Sequence, residues 1–176
     1  MSRIIFISCM LFAALLYAED KIIIDGVEAG KFTMDLDAAE KYAKEKKQIL
    51  LLNFTGSDWC HWCKLMEENV FKKPEWSEYA KSNVVMVWLD YPKDKRIVPD
   101  KYVVRNNMLR GKYKISGYPT YILLDNEGNE ITRLTAGKNK TPASFASEVE
   151  AALEMTGGRI DAFSKKLGAQ AGAEYK

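Results

Sequence analysis

Residues Ile49-Leu50-Leu51-Leu52 open an apolar run that reaches Phe54 and then gives way to a polar loop carrying Gly56 and Ser57. A run of strand length without polar alternation, Gln48 to Phe54, fits a central strand buried on both faces. The chain must therefore place structure above and below it. Directly after the loop come Cys60 and Cys63, at the head of a segment in which Cys63, Met66, Val70 and Phe71 recur at helical spacing. Strand, loop and dithiol form one unit, and the rest of the sequence is read around it.

Upstream, Lys21–Val27, with Ile22-Ile23-Ile24 followed by Asp25-Gly26, reads as a short strand ending in a turn. Leu36–Lys46 has helical periodicity, with Asp35 or Asp37 as its cap. Downstream, Pro74 ends the dithiol helix or starts a short successor containing Trp76 and Tyr79. Val84–Leu89 is a second apolar strand, and Tyr91–Lys101 an exposed connection. Val103–Tyr113 reads as a helix, and Thr120–Leu124 and Glu130–Thr135 as a hairpin around Asp125–Asn129. Thr141 and Pro142 open a last helix running to about Met155. This order implies an α/β chain: a central mixed β-sheet flanked by helices on both faces.

The 176 residues favour one domain, with residues 19–158 as its extent and 159–176 as a tail that frays after Gly157-Gly158. Residues 1–18 have the pattern of an export signal: Arg3, an apolar stretch Ile4–Leu16, and the small Ala18 at the cleavage position. The stretch is short for a bilayer span, so no membrane insertion is expected after the leader is removed. Cys9 would leave with it, and Cys60 and Cys63 would be the remaining cysteines. A net charge of +2, from 26 basic and 24 acidic residues, lacks the basic face of a nucleic-acid binder. Lys138, Lys140 and Lys165-Lys166 are read as solvated surface.

Two cysteines at i and i+3 share one side of a helix and can reach disulfide geometry with little movement. The first, at the helix N-terminus, has free backbone N–H groups and the helix dipole to favour its thiolate. This makes Cys60 the attacking, exposed thiol and Cys63 the less exposed resolving thiol. His61 would favour the thiolate as a cation and do little as a neutral ring. Trp59 and Trp62 bracket the pair, either as a docking surface for a polypeptide or, for Trp59, as packing against the strand. A zinc site lacks ligands, since the candidates are Cys60, Cys63 and His61, so neither metal nor other cofactor is expected. A purely structural disulfide closing so short a loop adds only roughly 2 kcal/mol.

With Trp59-Cys60-His61-Trp62-Cys63-Lys64, the strand before it, Tyr118-Pro119-Thr120 and the closing hairpin and helix, the chain resembles the thioredoxin superfamily over roughly residues 36–155. Phe54–Cys60 together with Cys63–Glu67 is similar to its secreted bacterial members, the DsbH type and the C-terminal domain of the DsbD reductase. The resemblance implies a thioredoxin-like fold and a thiol–disulfide oxidoreductase exported to the periplasm. It implies a bias towards reducing protein disulfides and a DsbD-like membrane protein as electron donor. The chain is expected to be a monomer. It also implies that Pro119 is cis beside the dithiol and that Tyr118 offers backbone groups to an extended substrate. The buried Asp of the thioredoxin pattern is replaced by Asn53, which cannot take a proton. Glu67 matches an acidic position of the DsbD-like domains and is either the base or a surface glutamate. Oxidant and isomerase chemistry, a non-catalytic binding module, and a metal carrier across a dimer remain as alternatives.

Overall fold

A computed structural model describes residues 22–156. The leader read at 1–18, with Cys9, and the tail read at 159–176 lie outside these residues. Within them the order of elements is β1 (Phe32–Thr33), α1 (Leu36–Lys46), β2 (Ile49–Thr55) and α2 (His61–Met66). A π-helical turn, Glu67–Phe71, continues α2. Then follow α3 (Pro74–Asn83), β3 (Val84–Asp90), α4 (Asp100–Lys112), β4 (Thr120–Leu124), β5 (Glu130–Thr135) and α5 (Pro142–Thr156).

The described strands form a five-stranded mixed sheet in the order β1-β3-β2-β4-β5. β2 lies at its centre, parallel to β3 from Ile49↔Val84 to Thr55↔Asp90 and antiparallel to β4 from Leu50↔Leu124 to Phe54↔Thr120. Every residue of β2 and β3 is buried, as an apolar run without alternation demands. Alternate residues face opposite layers. Leu50, Leu52 and Phe54 meet α1 and the end of α4, while Ile49, Leu51 and Tyr121 meet α2, α3 and α5.

The layer that carries the dithiol is knitted by aromatic rings. Phe71 meets Phe32, Trp76, Tyr121 and Phe145 edge-on, with centroids 5.2–5.6 Å apart. Met66 and Val70 are fully buried and Phe71 nearly so. At about 1.5–3 kcal/mol per buried side chain, these three residues anchor the dithiol helix with at most roughly 5–9 kcal/mol.

Local signals act where the sequence places them. Asp35 caps α1 by accepting the Ala38 N–H at 3.1 Å, and Lys47 closes the helix in the left-handed region. Thr141 accepts the Ser144 N–H at 3.2 Å at the head of α5. Asp125 accepts from the Glu127 and Asn129 backbone and holds the hairpin turn. Pro74 starts a helix of its own.

Two expectations need correction. Of the strand expected at Lys21–Val27, the described residues 22–27 do not form one: Ile23 makes only an isolated bridge to Thr33, and the edge strand is Phe32–Thr33. The reason is the Asp25-Gly26 turn. Gly26 has φ +81°, donates to Asp35 at 3.0 Å and accepts from the Thr33 hydroxyl, which leaves Ile24 45% exposed. Helix α4 begins at Asp100, directly after Pro99, rather than at Val103.

Candidate active site

The dithiol sits where the C-terminal end of β2 hands over to α2. Between them the Gly56 carbonyl accepts the Trp59 and Cys60 N–H groups at 3.2 and 2.8 Å, folding the loop into a tight turn. The Trp59 indole lies against Gly56 where a Cβ would otherwise stand, so any side chain here would displace the ring.

Three residues strap this turn to the end of β3 and the segment after it. Ser57 donates its N–H to Asp90 Oδ1 at 2.9 Å and its hydroxyl to Asp90 Oδ2 at 2.5 Å. The Asp58 carboxylate accepts the backbone N–H groups of Lys93 and Asp94 at 2.9 Å. Those bonds, that from Asp94 foremost, hold its carboxyl below the usual range. Trp59 Nε1 donates to the Tyr91 carbonyl at 2.9 Å. Asp90 is only 3% exposed, and burial pushes its carboxyl up, against the pull of the two bonds from Ser57.

Cys60 is the N-cap of α2. It is joined to Cys63 in a disulfide with Cα atoms 5.2 Å apart, and its sulfur accepts the Cys63 N–H at 3.2 Å. The expected difference in exposure between the two cysteines is absent in the disulfide: each residue is 5% exposed. In the disulfide, Cys60 Sγ lies over the first helical turn and accepts the Cys63 N–H. Exposure passes to its neighbours. Trp59 is 40% and Trp62 46% exposed, so neither indole is buried packing.

The Tyr118–Pro119 bond is cis. Pro119 and Tyr118 line one shallow groove with Trp62 and Lys138, and Trp59 packs edge-on against Tyr118 at 5.6 Å. Tyr91 lies 5.3 Å beyond Tyr118. His61 is exposed, with its ring against Trp62. Lys64 donates to the Asp58 carbonyl at 2.8 Å and so closes the turn from the helix side. The fold thus gathers Cys60, Cys63, Trp59, His61, Trp62, Tyr118 and Pro119.

Glu67 stands apart from this group. Its side chain is 32% exposed, lies 3.4 Å from Lys72 Nζ, and lines a small cleft with Trp88 and Phe71. Asn53 is 2% exposed on the layer facing α2, in register with Trp88, and its Oδ1 has no hydrogen-bond partner among the described residues.

Ser57 and Asp90 were not singled out by the sequence reading. The available signal was an acid ending a run, Val84–Leu89, that is otherwise wholly apolar. A carboxylate so placed must find donors, and the nearest loop supplies them. Among the described residues, no group of three or more His, Cys, Asp or Glu side chains could hold a metal ion.

A central β-strand, a capping cysteine pair and a cis-proline groove define a thioredoxin-fold dithiol protein. The chain belongs to the Thioredoxin-like domain family, which it matches over residues 36–153. It is 31% identical over 117 residues to the disulfide bond reductase DsbH of Chlamydia pneumoniae, covering 66% of this chain and 69% of that one. It is 30% identical to the thioredoxin-related protein DsbJ of Chlamydia pneumoniae, over 66% of this chain and a third (33%) of that one. Among solved structures, a DsbH oxidoreductase matches with a TM-score of 0.65 and 27% identity, over 74% of this chain and 86% of the other. The oxidised C-terminal domain of Neisseria meningitidis DsbD shares the fold, at a TM-score of 0.50 and 18% identity over 66% and 91% of the two chains. The sequence and site make the chain a Dsb-like protein with the equipment of a thiol–disulfide oxidoreductase.

Proposed function

We propose that the protein is an exported reductase of protein disulfides. The observation that carries the reading is the cysteine pair on the first turn of α2, with the N-cap sulfur already accepting the Cys63 N–H. In the reduced protein the same N–H and the helix N-terminus favour a thiolate on Cys60. That thiolate attacks one sulfur of a substrate disulfide. A Cys60–substrate bond forms and the other substrate sulfur leaves as a thiolate. Cys63, deprotonated, then attacks Cys60 Sγ, closes the disulfide seen here and releases the second substrate thiolate. Two electrons pass to the substrate, and a dithiol donor must return them.

Asn53 cannot take the Cys63 proton, and the scheme assigns it to Glu67, one helical turn on and two-thirds buried, reached through water because its carboxylate faces Lys72 and not the sulfurs. The substrate lies extended along Tyr118 and Pro119, with Trp62 beneath it. The direction is supported by the likeness to a protein named as a disulfide bond reductase. Residues 1–18 act as the leader, 19–158 as the working domain and 159–176 as a tail. The chain acts as a monomer in the periplasm and draws electrons from a DsbD-like membrane donor. Among the described residues no helix is long and apolar enough to cross a membrane.

The test is substitution of each sulfur. Cys60→Ser abolishes turnover, and Cys63→Ser accumulates a mixed disulfide with the substrate. Redox equilibration with glutathione gives the direction: a potential on the oxidising side of the glutathione pool overturns the reductase assignment. Full turnover by Cys60→Ser overturns the mechanism.

A further inference from the structure

The chain carries a charge asymmetry that its net charge conceals. Residues 93–114 hold eight basic and two acidic side chains, a local +6 in a protein of net +2. This segment is the connection after β3 together with α4, and it borders the dithiol loop directly, because Lys93, Asp94 and Tyr91 bind Asp58 and Trp59. Between connection and helix runs an open groove of about 530 Å³, lined among others by Tyr91, Pro92, Lys95, Val103, Asn107 and Arg110. A volume of this size falls in the usual range for ligand pockets, about 300–1,000 Å³.

The chemistry of its walls is specific. Lys95 and Arg110 are exposed, and neither has a carboxylate within salt-bridge distance among the described residues. Arg110 is pre-oriented, with its guanidinium 5.6 Å over the Tyr91 ring. Val103 gives the same groove an apolar surface, 39% exposed. Two acids also line the groove. Asp90 is 3% exposed and bonded to Ser57, so its charge is turned inward. Asp100 is exposed at the head of α4 and leaves the cations in excess. The floor, Tyr91, packs on Tyr118, which stands beside Pro119, so the groove continues the surface where a substrate disulfide is placed.

We infer that this groove docks an acidic segment of the substrate polypeptide flanking the disulfide to be reduced, with carboxylates on Lys95 and Arg110 and an apolar residue on Val103. The inference rests on the reductase reading and names its substrate class. Charge complementarity of this kind raises association rates and selects partners, and it weakens with salt.

Three synthetic peptides carrying the same disulfide, flanked by glutamates, by lysines or by serines, provide the test, with hydroxyethyl disulfide as a small uncharged reference. At low salt the glutamate peptide is reduced with a kcat/KM about five- to tenfold above the serine peptide, and the lysine peptide falls below it. The ordering collapses in 0.5 M NaCl. Lys95→Glu combined with Arg110→Glu reverses it, whereas Lys41→Glu on α1 does not. Equal rates for the three peptides, or a preference untouched by the double substitution, overturn the groove assignment. Failure to reduce hydroxyethyl disulfide overturns the reductase reading instead. Vesicles containing anionic phosphatidylglycerol are the competing occupant: sedimentation with them that depends on Lys95 and Arg110, without any peptide preference, overturns the acidic-peptide assignment in favour of a membrane.

Discussion

Asp90 offers a way to measure what holds the dithiol loop in place. Asp90→Ala removes both acceptors for Ser57, whose N–H and hydroxyl donate at 2.9 and 2.5 Å. Asp90→Asn keeps an acceptor for the N–H and offers an amide donor to the hydroxyl oxygen. Both variants shed the cost of holding a charge at a site only 3% exposed, so their difference isolates the hydrogen bonds. That difference is about 1–3 kcal/mol, with Asn the more stable, read by urea denaturation of the oxidised protein at pH 7 through tryptophan fluorescence. The wild type adds a pH signature. Its carboxyl is pushed up in the folded state, chiefly by burial, from the ordinary 3.8. As pH falls through the raised folded value, the folded wild type takes up a proton that the unfolded chain does not yet hold. It therefore gains stability relative to Asp90→Asn until the unfolded carboxyl also titrates, and it loses that gain as pH rises again. Ala and Asn variants of equal stability would refute the strap. A wild type that weakens against Asp90→Asn on acidification would refute the burial of the charge.

Two further substitutions probe the same end of the sheet. Gly56→Ala forces a methyl group into the Trp59 indole, costs about 1–3 kcal/mol, and shifts the Trp59 emission as the ring is displaced. An unchanged stability and spectrum would show that the ring moves freely. Asn53→Asp restores the acid that the thioredoxin pattern places here, on a residue 2% exposed whose Oδ1 has no partner. Burial raises its pKa, so the variant is at least about 2 kcal/mol less stable than wild type at pH 7 and recovers towards pH 5, measured by the same denaturation assay. Equal deficits at the two pH values would mean that the carboxylate finds solvent or a cation.

The sequence disclosed most of what local chemistry decides. The apolar runs at Ile49 and Val84 announce strands because burial on both faces admits no polar alternation. Asp35, Thr141 and Asp125 announce a cap, a cap and a turn because their short side chains satisfy nearby backbone donors. The dithiol was legible through its spacing, and the cis bond before Pro119 through family likeness alone, since X–Pro bonds are cis in only about 5–6% of cases. What was not legible depends on which distant segments meet. Ile22-Ile23-Ile24 has strand composition, but the Asp25-Gly26 turn and its bonds to Thr33 and Asp35 take its pairing away. Ser57 and Asp90 are 33 residues apart, and nothing in either neighbourhood names the other. The equal cover of the two cysteines, each 5% exposed, belongs to the folded turn as a whole, which their spacing does not encode.

One segment does two jobs at this site, and that links the loop to the groove. The chain from Asp90 to Asp94 binds Ser57, Trp59 and Asp58 on one side, while Tyr91 and Pro92 form the groove floor on the other. Tyr91 is itself tied down, donating its hydroxyl to the Asn106 carbonyl of α4 at 2.5 Å. A polypeptide seated between Lys95 and Arg110 therefore rests on the residues that fix the height and tilt of the Cys60 turn. If seating shifts that segment, the turn shifts with it. The acidic peptide would then change the reactivity of the dithiol as well as its encounter rate, and kcat would rise alongside kcat/KM. If the segment stays rigid, the preference resides in kcat/KM at low substrate and vanishes at saturation. Ser57→Ala, which removes the hydroxyl bond to Asp90 while leaving every groove residue in place, separates these cases. It lowers kcat for the glutamate and serine peptides by the same factor when the floor is rigid, and by different factors when docking and loop are coupled.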